Sequence, residues 1–121
     1  MSDSRGVDDA LHRLCVACGG FGKVEGLVSN WLGVTSERLD GIRAGLERGD
    51  AALVGRLAHT IKGSSATFGA VELGELAREV EAEIEEKGLS ERGINLAEKL
   101  LSLGGETLSQ VRGAAEALQS R

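Results

Sequence analysis

The sequence contains no proline and no tyrosine, and its only aromatic residues are one tryptophan and two phenylalanines. Because proline breaks or kinks helices, its absence together with abundant leucine, alanine, glutamate and arginine predicts an all-α protein. The 18 glycines count against long helices, since an interior glycine costs a helix about 1 kcal/mol relative to alanine. We expect tertiary packing to outweigh that cost.

The charge and hydropathy patterns exclude several classes of function. The net charge is −5, with acidic and basic residues interspersed and no polybasic run, so we expect no nucleic-acid partner. No apolar stretch approaches the roughly 20 residues that span a bilayer, and the first residues lack the apolar core of a signal peptide. The sequence therefore predicts a soluble, cytoplasmic protein with one domain, which we expect to be monomeric.

Cysteine is scarce, and its two occurrences, Cys15 and Cys18, fit a reducing compartment. With His12 they form a His-x-x-Cys-x-x-Cys pattern that offers three metal ligands. Structural zinc normally takes four ligands, and the sequence has no second Cys/His pair. We therefore expect both cysteines to pack as small hydrophobes, and we predict no metal or cofactor. A metal- or redox-responsive helical protein remains a distant alternative.

Apolar residues recur at helical spacing in five segments that glycines separate. After a disordered segment over residues 1–6, the pattern predicts a short helix over 7–18 and longer helices over 21–48, 51–68, 71–87 and from Ser90 to about Gln119. The predicted buried stripes include Leu27 on the first long helix and Ile94 on the last. Short connections between long amphipathic helices favour an antiparallel up-down four-helix bundle, with the short N-terminal helix covering one end, in a single domain over 7–120.

Residues with special backbone roles mark the ends of these helices. Gly49 and Gly88 are natural C-terminal stops, and Asp50 and Ser90 are natural N-caps. Gly104, followed by a second glycine, interrupts the last helix and predicts either a bend or a close helix contact there.

The helix over 51–68 has two unlike faces. One face is apolar with two small hydroxyls, as expected of a buried stripe; its members are Val54, Leu57, Ala58, Ile61, Ser64, Ser65 and Phe68. The other face carries Gly55, His59, Lys62, Gly63 and Ala66. We therefore predict that the imidazole of His59 is exposed, with a cation one turn on and almost bare backbone around it.

This face suits attack by the histidine on a phosphoryl group. A neutral imidazole is a good nucleophile near pH 7, and the resulting phosphoramidate carries negative charge that Lys62, at i+3 from His59, can stabilise. In-line transfer requires the partner to press close. Gly63 at i+4 removes the side chain in its path, and Gly55 and Ala66 extend the clearance. A single helical histidine is more often ordinary surface, but a mid-helix glycine on an exposed face favours a functional interpretation.

The run from His59 to Ala70, His-Thr-Ile-Lys-Gly-Ser-Ser-Ala-Thr-Phe-Gly-Ala, resembles the signature of histidine-containing phosphotransfer (HPt) domains. The resemblance covers about residues 20–87, with Trp31 where the family often has phenylalanine, while the last helix matches only by periodicity. It implies a four-helix bundle that neither binds ATP nor catalyses phosphorylation by itself. It further implies that His59 accepts a phosphoryl group through Nε2, that Lys62 faces the phosphate and that Gly63 provides clearance. Glu81 on the next helix occupies a position from which a polar residue can orient the imidazole.

The same resemblance implies the partners and the cellular role. Such domains exchange the phosphoryl group with an aspartate of response-regulator receiver domains, or accept it from a kinase such as a hybrid sensor histidine kinase. The prediction is therefore a phosphocarrier of a two-component phosphorelay. A similar motif occurs in the N-terminal domain of chemotaxis-type kinases, so we expect either a free-standing carrier or an excised domain. The alternative is a non-phosphorylated adaptor that docks a receiver or kinase through the same face.

Overall fold

The computed structural model describes residues 5–119 of the chain. It contains five α-helices and one short 3₁₀ helix: α1 (Arg5–Cys18), α2 (Phe21–Arg48), α3 (Ala51–Ser65), the 3₁₀ helix (Ala66–Phe68), α4 (Val71–Lys87) and α5 (Glu91–Gln119). Among the four long helices, α2 packs against α3, α3 against α4, α4 against α5, and α5 against α2. Helix α1 contacts α2, α5 and the 3₁₀ helix at one end. The predicted all-α four-helix bundle with an additional N-terminal helix is confirmed.

Helix α1 begins earlier than its apolar pattern indicates. Its first residue is Arg5, so residues 5 and 6 are helical, although the sequence predicts them to be disordered. Val7, Ala10 and Leu11 are buried, and burial of this apolar face stabilises the helix back to its first turn. The remaining part of that predicted disordered segment, residues 1–4, lies outside the described residues.

Helices begin and end at the capping residues and the glycine that the sequence predicts for these positions. Gly49 adopts a left-handed conformation with φ of 68° and ends α2. Asp50 caps α3, since its carboxylate accepts a hydrogen bond of 3.1 Å from the Leu53 N–H. Ser90 caps α5 in the same way, because its hydroxyl accepts a bond of 3.0 Å from the Gly93 N–H. The helix predicted over 51–68 is α-helical only to Ser65, and its last turn tightens into the 3₁₀ helix.

Two predicted members of the buried stripes are wrong. Leu27 is 52% exposed and Ile94 is 39% exposed. On α5 the buried line instead passes through Gly93 and Leu96, one residue away from the predicted face. A Cβ at Gly93 would lie 3.0 Å from the carbonyl oxygen of Gly88, so the space at this position favours glycine over any residue with a side chain. Periodicity alone does not count glycine as a core residue, and the prediction is therefore wrong by one residue in the first turn of α5.

Helix α5 is continuous through Gly104 and approaches α2 closely there. A Cβ at Gly104 would lie 2.6 Å from Cδ1 and 2.8 Å from Cδ2 of Leu39. Of the two structures predicted for this position, the molecule therefore shows the close helix contact.

The residues of the N-terminal His/Cys pattern behave as packing and surface residues. Cys15 and Cys18 are free, partly buried and packed against the core, while His12 is exposed. Within residues 5–119, no cluster of three or more His, Cys, Asp or Glu side chains has an arrangement that could hold a metal ion. The same residues contain no helix with the length and apolar character of a membrane span.

Candidate functional site

Contacts with α2 contribute to the rotation of α3 about its axis. Trp31 of α2 donates a hydrogen bond of 3.3 Å from Nε1 to the hydroxyl of Ser64, and its ring stacks on Phe68 with centroids 4.9 Å apart. Further along, a Cβ at Gly41 of α2 would lie 2.6 Å from Cδ1 of Leu57, so the two helices touch there. These contacts turn the apolar face of α3 inwards, and the opposite face must therefore point to solvent.

His59 lies on that solvent-facing side. Its side chain is 62% exposed, while Ala58 and Ile61 of the same helix are fully buried. Gly63, one turn further on, is also exposed, and a Cβ placed on it would have no atom within 4 Å. The exposed imidazole and the open space next to it are as predicted.

Helix α4 brings a carboxylate to the imidazole. Oε2 of Glu81 lies 2.5 Å from Nδ1 of His59, and Oε1 of the same side chain accepts a hydrogen bond of 2.7 Å from Nζ of Lys62. Glu81 is 24% exposed and Lys62 is 34% exposed, so both are more enclosed than the imidazole. The structure thus brings His59, Lys62 and Glu81 into one cluster, with Gly63 at its open edge.

The electrostatics of this cluster favour one tautomer of the histidine. The hydrogen bond from Lys62, and then that from His59, hold the pKa of Glu81 below its ordinary value, although burial opposes the shift. Glu81 is therefore an ionised carboxylate at neutral pH, and an ionised carboxylate only accepts hydrogen bonds. In the neutral imidazole Nδ1 then carries the proton and donates it in a hydrogen bond to Glu81, which leaves the lone pair of Nε2 free for an approaching electrophile.

The pairing of Lys62 with Glu81 is the feature that sequence reasoning missed. The sequence predicts that Lys62 faces a phosphate, whereas its ammonium lies on the Glu81 carboxylate in this structure. The two residues are 19 positions apart, on different helices, and the only signal was that both were candidates for the same site.

One predicted clearance position also has a packing role. A Cβ at Gly55 would lie 3.3 Å from Cγ2 of Ile84, so Gly55 allows α3 and α4 to approach each other. Gly55 therefore serves the packing of α3 on α4 in addition to lining the open groove beside His59. Ala66 is exposed, as predicted, at the other end of the face.

An open groove of about 450 Å³ runs between α3 and α4 beside His59. Gly55 and Ile84 contribute apolar surface to it, and Arg56 and Glu85 contribute charged side chains. A partner that approaches the imidazole from this side would meet both kinds of surface.

The fold and the cluster define a helical bundle that presents one solvent-facing histidine between a carboxylate and open space. A family model, that of the Hpt domain, matches residues 26–121, and the chain belongs to this family. The match includes α3 and α4 and extends through α5, which the sequence pattern related to the family only by periodicity. No curated protein and no solved structure matches the chain significantly.

Membership of this family gives the protein a phosphotransfer role in two-component signalling. Hpt domains are phosphocarriers rather than classical enzymes, and they interact with the receiver domains and kinases of phosphorelays.

Proposed function

We propose that this protein carries a phosphoryl group on Nε2 of His59 and exchanges it with the aspartate of response-regulator receiver domains. The observation that supports this most directly is the contact of 2.5 Å between Nδ1 of His59 and Glu81, because it leaves Nε2 with a lone pair on an exposed ring. We further propose that the carrier is a cytoplasmic monomer.

The transfer needs no chemistry beyond nucleophilic displacement. The lone pair of Nε2 attacks the phosphorus of the receiver's aspartyl phosphate, the N–P bond forms, and the P–O bond breaks to release the aspartate carboxylate. Transfer onwards is the reverse reaction with a second receiver. Because the phosphoryl group always arrives from a partner, either a receiver or a hybrid sensor histidine kinase, the carrier itself has no use for an ATP site.

The residues around His59 fit separate requirements of this reaction. The ammonium of Lys62 lies one helical turn from the imidazole and can turn from Glu81 to the incoming phosphoryl oxygens with a charge-assisted hydrogen bond. The open space at Gly63 admits the partner to in-line distance. Glu81 holds the ring in the tautomer that attacks through Nε2.

The test compares the two histidines of the chain. The purified protein is mixed with a receiver that carries ³²P on its aspartate, and the label on the carrier is followed by gel autoradiography. The wild-type protein and the control His12→Gln should acquire acid-labile, base-stable label, because His12 is exposed on α1 outside the proposed site. His59→Gln should acquire none, and its free energy of unfolding should be unchanged. Equal labelling of His59→Gln would show that His59 is not the acceptor.

A non-phosphorylated adaptor is the second candidate, and the groove between α3 and α4 favours it, because that surface can bind a partner without any reaction. If the protein is an adaptor, the wild-type protein and His59→Gln should bind the receiver equally well, and neither should acquire label. A phosphocarrier would bind and become labelled.

A further inference from the structure

Glu81 contributes a negative charge as well as the hydrogen bond that orients the imidazole. The inference drawn from this charge rests on the proposed function. Any acceptor, such as an amide oxygen, would hold Nδ1–H and leave Nε2 free. A carboxylate additionally places a negative charge 2.5 Å from Nδ1, and a negative charge in contact with a group stabilises a positive charge that forms on it.

The ring becomes positively charged in the phosphorylated state. When Nε2 bonds to phosphorus and Nδ1 keeps its proton, the imidazole is a cation. When the N–P bond later breaks, its electron pair returns to Nε2 and neutral imidazole leaves. If Nδ1 has lost its proton first, the leaving group is imidazolate, which is a far stronger base and leaves much more slowly. The proton on Nδ1 therefore decides whether the phosphoryl group can be passed on.

We propose that the negative charge of Glu81, and not only its hydrogen bond, keeps Nδ1 of phosphorylated His59 protonated, so that the phosphoryl group remains transferable at neutral and mildly alkaline pH. Glu81 is then a positioning residue that tunes the reactivity of the carrier. The proton stays on Nδ1 through both transfers, so neither transfer takes a proton from the solvent or releases one.

The other charges near His59 do not replace this contact. On α3, Lys62 and Arg56 are cations and disfavour a second positive charge on the ring. On α4, Glu85 lines the same groove but is exposed, so solvent screens its charge. Helix α2 contacts α3 through Ser64 and Leu57, on the apolar face of α3 opposite His59. Glu81 is the negative charge in direct contact with the imidazole.

The experiment separates charge from hydrogen bonding with Glu81→Gln, which keeps an acceptor oxygen at the same place, and Glu81→Ala, which removes both. Each protein is phosphorylated by a labelled receiver and isolated. Transfer to a second, unphosphorylated receiver and spontaneous loss of label are then timed between pH 6 and pH 9. Glu85→Gln is the matched control, because it removes a neighbouring charge from the same groove.

The expected result is a pH-dependent defect in Glu81→Gln. At pH 6 its transfer should approach that of the wild type, since the ring is protonated in both. At pH 8.5 transfer and loss of label should both be about tenfold slower, because a titration midpoint lowered by one pH unit reduces the protonated fraction about tenfold. The ¹⁵N chemical shift of Nδ1 in the phosphorylated protein should report the lower midpoint directly. Glu85→Gln can change how a receiver binds, but its titration midpoint and the shape of its pH profile should be those of the wild type.

Two results would overturn the proposal. If Glu81→Gln matches the wild type at every pH while Glu81→Ala is slow, the hydrogen bond alone is sufficient. If Glu85→Gln shifts the pH profile as far as Glu81→Gln does, the general charge of the groove is responsible. Failure of the wild-type protein to acquire label on His59 is a different outcome, because it would contradict the proposed function itself.

Discussion

Gly63 and Gly104 both lie inside α-helices, where each costs about 1 kcal/mol relative to alanine, but their surroundings are opposite. Gly104 is buried, and a Cβ there would meet both methyl groups of Leu39. Gly63 is exposed, and a Cβ there would meet nothing within 4 Å. The first glycine is explained by helix packing. No contact in the described structure explains the second, and our proposal assigns it to the approach of a partner to His59.

The largest expected effect comes from filling the space at Gly63. Gly63→Leu should leave the bundle folded but reduce the rate of phosphoryl transfer about 100-fold, because displacement of the partner by about 1 Å from the in-line geometry has an effect of that size. Rapid-quench measurement of label transfer from a receiver gives the rate. The control is Gly105→Leu, on an exposed part of α5 that also has no atom within 4 Å of its Cβ. A normal rate in Gly63→Leu would mean that clearance is not the function of this glycine.

The next effect concerns the packed glycine. Gly104→Ala should lower the free energy of unfolding by about 1–2 kcal/mol, since overpacking of about 1–3 kcal/mol outweighs a gain in helix propensity of up to about 1 kcal/mol. Leu39 is only 5% exposed, so its methyl groups have little room to move away. Urea denaturation followed by the fluorescence of Trp31, the single tryptophan, measures the change. An increase in stability would show that α2 and α5 can separate at this contact without loss.

The smallest effect has the opposite sign. Gly63→Ala and Gly105→Ala should each raise the free energy of unfolding by about 0.5–1 kcal/mol, because alanine is the better helix former and neither new methyl group meets a neighbour. The same urea titration measures both variants. Destabilisation by Gly63→Ala would reveal a structural requirement for glycine at this position and would remove the contrast with Gly104.

Much of the fold was predictable because the signals for it are local. The ends of α2 and α3 depend on Gly49 and Asp50, whose backbone and capping preferences act within a few residues. The common face of His59, Lys62 and Gly63 was equally predictable, because residues three and four apart on one helix are always neighbours. Where α3 tightens into a 3₁₀ turn, the prediction failed only in the last three residues.

The other errors within the bundle concern the packing of the helices. The sequence did not predict that Gly55 also packs against Ile84 of α4. Ile94 was assigned to the core of α5, where Gly93 lies instead. Helical periodicity defines the faces of a helix to within about one residue, or 100° of rotation, and a glycine at a close contact carries no hydrophobic signal.

The sequence by itself determined five helical segments, most of their ends and the clustering of an imidazole, a cation and a glycine on one helix, because these depend on interactions within about four residues. The tertiary structure decided that the carboxylate of Glu81 reaches both His59 and Lys62, and that Gly104 rather than Gly63 supports a helix contact. Those outcomes depend on the rotation and spacing of packed helices, which are set jointly by all the side chains of the core and not by any single segment.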